Sequence, residues 1–120
     1  MKLTATKKRS RLIVKEGQRN FVLSIKEVAL LYVKERSVFV VTNDSKKYQF
    51  NKSLTHLEKE LDDSIFFRTN RHSIVNIDFI KSFTVCECNK LKVEMHVDAE
   101  TEIVVSQETA PLFKSWLCES

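Results

Sequence analysis

Arg68, Arg71 and His72 fall within the stretch FFRTNRHSIVNIDFIKSF, Phe66 to Phe83, where a short polar run is held between two apolar ones. A planar guanidinium can hold a phosphate, or pair bidentately with guanine O6 and N7 in a DNA major groove. Phe66 and Phe67 on one side, and Ile74, Val75, Ile77, Phe79 and Ile80 on the other, read as core anchors that give the polar residues between them a defined position. On spacing alone two readings stay open. In one, the arginines meet an anionic partner. In the other, Arg68 pairs with a nearby acid such as Asp62 or Asp63, and Asn76 caps a local turn through its side chain.

Other chemistry finds little support. The chain has a single glycine, Gly17, and no GxxxxGK[ST] or GxGxxG motif, so it cannot build a Gly-rich phosphate cradle. Cys86 and Cys88, two apart on an expected strand, would share a face. Without a CxxC pair or closely spaced histidines they read as small apolar residues in or near the core, not as metal ligands. Cys118 reads as an incidental thiol. His56, on a helix flank, and His96, on a strand, are far in sequence from any nucleophile and base pair. The expectation is therefore a protein that is not an enzyme, with no cofactor and no metal.

Composition bounds the rest. A chain of 120 residues, 42% hydrophobic and 30% charged, is one globular domain. No run approaches the roughly 18 to 20 apolar residues of a membrane span, and the basic start MKLTATKKRSR has no signal-like apolar h-region behind it. Three cysteines, an odd number, argue against a disulfide framework, and the expected compartment is the cytoplasm. Lysine plus arginine exceed aspartate plus glutamate by 20 to 16, a net charge of +4 that suits a polyanionic partner without demanding one. The cluster Lys7, Lys8, Arg9 and Arg11 reads as a solvated linker or tail.

The elements that must position these residues are mostly strands. Leu12 to Val14 and Phe21 to Ile25 form a hairpin about Gly17. Val28 to Val33, Val38 to Thr42 and Lys46 to Phe50 form a meander, with a polar turn at Asn43 to Ser45. Leu54, Leu57 and Leu61 share one helical stripe with Ser53 as N-cap, a short helix closing over a sheet. Phe83 to Cys88, Leu91 to Val97 and Glu102 to Val105 are three further strands. Leu112, Phe113, Trp116 and Leu117 mark a second helix, whose register begins around Thr109 because Pro111 suits a first turn.

The string FFRTNRHSIVNIDFIKSF resembles the central signature of the LytTR family of bacterial DNA-binding domains, roughly F-x-R-x-H-R-S-x-x-V-N-x-x-x-I, through Phe66, Arg68, Asn70, Arg71, His72, Val75, Asn76 and Ile80. The likeness extends upstream through VALLYVKERSVFVVTND and NKSLTHLEKEL, and downstream through IVVSQETAPLFKSWL. It implies a mainly β domain of packed small antiparallel sheets, about eight to ten strands with two short helices. Such a domain binds double-stranded DNA by laying loops into successive major grooves, and usually serves as the output domain of a two-component response regulator. Carried over residue by residue, the expected base contacts are Arg71, Arg36, Ser37, Gln107 and Glu108. The expected backbone contacts are Asn70, His72, Lys34 and Ser106 by the same carry-over, with Arg68 and the turn-side lysines Lys46, Lys47 and Lys52 added as phosphate candidates on their own charge.

Two departures from the family pattern stand out. The usual His-Arg-Ser triplet is Asn70-Arg71-His72 here, and the serine usually followed by basic residues is followed by Gln107 and Glu108. Glutamate repels phosphate, although it can accept from cytosine N4, and glutamine can pair with adenine. Residues 1–10 are expected to be a linker or tail and 11–120 the DNA-binding domain. A receiver domain attached before it would bring two copies together on repeated half-sites. The rival reading is a β-rich protein-interaction module whose sheet edge recruits a partner strand. A small enzyme using His72 with Asn70 would need a nucleophile that the sequence does not offer.

Overall fold

In the computed structural model, residues 8–119 are described. The alternating apolar pattern produces ten strands: β1 (Arg11–Glu16), β2 (Arg19–Ser24), β3 (Val28–Lys34), β4 (Ser37–Thr42), β5 (Lys47–Phe50), β6 (Phe66–Asn70), β7 (Ser73–Asn76), β8 (Ile80–Val85), β9 (Leu91–Met95) and β10 (Ile103–Val105). Two helices, α1 (Leu54–Glu58) and α2 (Ala110–Glu119), complete it. Every strand pairing is antiparallel. The strands divide into a seven-stranded sheet, ordered β2-β1-β5-β4-β3-β7-β6, and a three-stranded sheet, ordered β10-β9-β8. The expected hairpin about Gly17 and the β3-β4-β5 meander both form. Gly17, at φ +60, supplies the left-handed residue that the two-residue β1–β2 turn requires.

The large sheet is covered on both faces, which makes three layers. One face packs Leu12, Val14, Leu31, Val40 and Phe50 against Leu54, Leu57 and Leu61 of α1 and the turn after it. The other packs Leu30, Tyr32, Val41 and Val75 against Leu91, Val93 and Ile103 of the small sheet and Phe113 of α2. β3 lies in the middle of both cores. Its pairing with β4 shifts register between Val28 and Leu30, a bulge at Ala29. Val28 and Leu31 therefore face α1, whereas Ala29, Leu30 and Tyr32 face the small sheet.

Several boundaries differ from the sequence expectation, each for a local reason. β2 stops at Ser24 because that residue and Glu27 form a capping box around a 3-10 turn at Ile25–Glu27. β8 begins at Ile80 and ends at Val85, so Cys86 and Cys88 are not strand residues in or near the core. They sit exposed in a turn where Cys88 and Asn89 take φ 58 and 61, closed by the Cys86 amide donating to the Lys90 carbonyl (2.8 Å). β9 ends at Met95, and His96 follows in a bend, its amide bonded to the Phe79 carbonyl (2.8 Å). α1 stops at Glu58, one turn short of Leu61, while Ser53 caps it as expected by accepting from the His56 amide (3.1 Å). Lys7 lies outside the described residues. Arg9 is not free: its amide donates to the Glu60 carbonyl (2.9 Å) and its guanidinium pairs with the Glu60 carboxylate.

Asn76 ties β7 to β3 and to the turn that leads into β8. It is 1% exposed, its Nδ2 donates to the Val28 carbonyl (2.7 Å), and its Oδ1 accepts from the Asp78 amide (2.9 Å). A buried amide that loses its partner costs about 1–3 kcal/mol. We expect Asn76→Ala to destabilise the domain by about 2 kcal/mol, measured as a lowered urea midpoint with an unchanged slope.

Candidate nucleic-acid interface

The pairing of Asn70 with Ser73 leaves Arg71 and His72 as the exposed two-residue turn between β6 and β7. Three side chains fix its shape. The Asn70 Oδ1 accepts from the His72 amide (2.6 Å), an Asx turn, while its Nδ2 donates to the Val104 carbonyl and ties the turn to β10. Arg68 braces it from below: Nε donates to the Asn70 carbonyl (2.8 Å), Nη2 to the Arg71 carbonyl (2.8 Å), and Nη1 to the Glu58 carboxylate (2.8 Å). The buried Thr69 hydroxyl, at a bulge in β6, bonds the Ser73 carbonyl (3.2 Å). The acid that pairs with Arg68 is thus Glu58, in place of Asp62 or Asp63. The Asp62 carboxylate instead accepts from the amide (2.9 Å) and hydroxyl (2.8 Å) of Ser64, which hold it below the usual carboxylate range.

A second turn stands beside the first. Lys34 pairs with Ser37, so Glu35 and Arg36 form the β3–β4 turn, and both take left-handed φ, 53 and 68. Asn and Gly are the residues that usually supply this conformation in a two-residue hairpin. Here two long charged side chains do so, at a conformational cost of about 1–2 kcal/mol per residue. The Val33 amide donates to the His72 carbonyl (2.8 Å), which locks the two turns at one end of the sheet. Between them lies an open cleft of about 500 Å³, onto which Arg36, Lys52, Arg68 and Arg71 all face, together with Ser37 and Gln49.

The third expected contact point joins this end through Asn70 and Val104. Ser106 is half-buried and occupied: its Oγ accepts from the Thr109 amide (3.3 Å) and its carbonyl from the Ala110 amide (2.9 Å), which starts α2 one residue past the expected position. Gln107 and Glu108 beyond it are exposed.

Three of the lysines lie elsewhere. Lys46 follows the β4–β5 turn at the opposite end of the sheet. Lys47 and Lys34 converge on Glu100, at 2.5 and 3.9 Å, and the Tyr32 hydroxyl donates to the same carboxylate (2.7 Å). Glu58 and Glu100, which decide which cations are engaged, went unnoticed in the sequence. Nothing in their own neighbourhoods marks them, because they meet their partners only through the fold. Among the described residues, no group of three or more His, Cys, Asp or Glu is placed to hold a metal, and no helix is long and apolar enough to cross a membrane.

The fold and these loops define a class first: an antiparallel β domain of two sheets that gathers arginines on hairpin turns, not on a helix. The family follows from comparison. The model of the LytTr DNA-binding domain matches residues 18–118, and the chain belongs to that family of DNA-binding domains. Among solved structures, it is similar to the LytTr DNA-binding domain of a putative methyl-accepting/DNA response regulator from Bacillus cereus. That match has a TM-score of 0.79 at 24% identity over 91% of this chain and 97% of the other, a likeness of fold. No curated protein matches.

The Glu100 cluster yields a pH prediction. The hydrogen bond from Lys47, then that from Tyr32, hold the Glu100 carboxyl at about 2, below its ordinary 4.5. A depressed folded-state value means stabilisation that is fully present above about pH 4.5 and lost as pH falls through about 2. Urea midpoints of Glu100→Gln are therefore expected to lie below wild type at pH 7 and to converge with it near pH 2.

Proposed function

We propose that this domain binds double-stranded DNA sequence-specifically, as the output domain of a transcriptional response regulator. The observation that carries this reading is the Val33–His72 bond, which sets Arg36 and Arg71 on two neighbouring turns over one basic cleft. Arg71 and Arg36 have no ion pair among the described residues, and both are exposed. Each can offer a guanidinium fork to guanine O6 and N7. Ser37, Gln107 and Glu108 reach base edges at the rims, with Glu108 suited to cytosine N4 and Gln107 to adenine. Lys52 and His72, exposed at and beside the cleft, are the candidates to meet the sugar-phosphate backbone, and such contacts set register without reading sequence, whereas Asn70 and Ser106, bonded within the protein, act by shaping their turns.

Arg68 then acts mainly through the turn it braces, because all three of its nitrogens are engaged. Lys34 and Lys47 can reach phosphate only by leaving Glu100, and Lys46 is too far from the cleft to share it. The strained β3–β4 turn supports the reading as well. Conformational cost kept at an exposed pair of charged residues is often kept for a functional reason. Attachment to a receiver domain, and pairing of two copies on repeated half-sites, belong to the same proposal, as does a location in the compartment that holds the DNA.

Selection from random duplexes, followed by titration at several salt concentrations, tests it. We expect an enriched motif, affinity that falls steeply with salt, and a loss of about 1–3 kcal/mol for Arg71→Ala with relaxed preference at one base pair. A β-rich protein-interaction module predicts the reverse: no motif, and binding indifferent to salt and to Arg71.

A further inference from the structure

β8 is the outer strand of the small sheet: it pairs with β9 on one side and, among the described residues, with no strand on the other. Free edges are ordinarily blunted by charge, proline or a bulge. β8 has such protection only at its start, where Lys81 sits in a bulge between Ile80 and Ser82. From Ser82 to Val85 the strand is uncharged and exposed, and two of its side chains are large and apolar, Phe83 at 37% and Val85 at 55% exposure. They stand opposite Val93 and Leu91 of β9, on the core side of the sheet, and the Phe83 ring meets Phe113 edge to face with centroids 5.8 Å apart. Their outer flanks stay open because the sheet ends there. The Cys86 amide turns toward the β9 side, donating to the Lys90 carbonyl (2.8 Å). By strand alternation, Phe83 and Val85 direct their amides and carbonyls outward.

We infer that β8 pairs antiparallel with β8 of a second copy of this chain, about a two-fold axis at Thr84. The segment IKSFTVCE, Ile80 to Glu87, is self-complementary in that register. Thr84 faces Thr84 across the axis. Phe83 faces the second copy's Val85 and Val85 faces its Phe83, so each apolar flank is covered by the other. Aromatic with β-branched and Thr with Thr are pairs that stabilise antiparallel strands. The same register sets the outward backbone groups of Phe83 against those of Val85, where they can exchange hydrogen bonds on both sides of the axis. Charge agrees at the ends. Lys81 stands opposite the second copy's Glu87, and Glu87 opposite its Lys81. Within its own chain Lys81 reaches Glu94 only at 3.9 Å, and Glu87 has no ion pair among the described residues. Moving the axis to Phe83 would set Lys81 against Val85 and leave Glu87 without a cation. None of these residues lines the basic cleft, so the inference does not rest on the DNA-binding reading. A contact of one strand pair is smaller than the roughly 1,200–2,000 Å² of stable complexes, which makes the dimer a weak one, with a dissociation constant on the order of 0.1 mM.

Sedimentation of the full 120-residue chain tests the pairing, under reducing conditions that keep Cys86, Cys88 and Cys118 from linking copies. Between about 5 µM and about 500 µM the average mass is expected to rise from that of a monomer toward that of a dimer. Thr84→Lys, at an exposed position, sets like charges face to face on the axis and should hold the chain monomeric throughout. Lys81→Glu should weaken pairing about three- to tenfold, and Glu87→Lys in the same chain should restore it. A wild-type chain that stays monomeric over the whole range overturns the inference. So does a dimer that survives Thr84→Lys, which would lie on another surface. A dimer indifferent to Lys81→Glu, or one that Glu87→Lys fails to restore, overturns the register.

Discussion

Strand β3 is hydrogen-bonded along both edges, to β4 and to β7, and buried on both faces. That position is the constraint on which the rest depends. A central strand with no free edge and no solvated face cannot slide by one residue without moving its side chains to the wrong core. Its two partners therefore end at fixed heights, and the turns that begin and end them are held side by side. The Val33 amide, bonded to the carbonyl of His72, is the last rung of that ladder. The two arginine-bearing turns are a rigid pair because they continue a rigid strand, although each is itself an exposed loop.

Around this frame the charges divide into those that hold the protein together and those that face outward. Arg68 closes on Glu58 and two carbonyls, Arg9 on Glu60, and Lys47 on Glu100. Such exposed pairs add little stability individually. Their larger effect is to neutralise part of the surface, so that the net positive charge is carried at fewer places. Arg36, Arg71 and Lys52 keep theirs at the cleft.

How far the sequence spoke for itself follows from the range of each interaction. α1 was legible because Ser53, Leu54 and Leu57 signal it within one turn, and the meander because β3, β4 and β5 follow one another with alternating patterns. The Arg71 turn was legible by family likeness and by the apolar runs flanking it. Contacts that cross the chain were not: Arg68 meets Glu58 from another element, Asn70 reaches Val104 in the other sheet, and Lys34, Lys47 and Tyr32 meet at Glu100. Left-handed backbone at Glu35, Arg36 and Cys88 was also hidden, since none of these residue types announces it. That is why the strand expected through Cys88 ran too far: side chains favoured a strand, and a backbone turn without glycine ended it at Val85.

The extra residue at Ala29 has a consequence beyond local shape. Before it, an even-numbered position such as Val28 looks toward α1; after it, even-numbered positions such as Leu30 and Tyr32 look the other way. The bulge works as a phase converter, joining a hairpin whose inward side chains are set by α1 to a strand whose counterparts are set by the small sheet. The two cores are thereby written in opposite parity on a single strand. A chain built this way depends on the number of residues at position 29 as well as on the small buried side chain there, because length keeps the Tyr32 hydroxyl on Glu100 and the Val33 amide on the arginine turn.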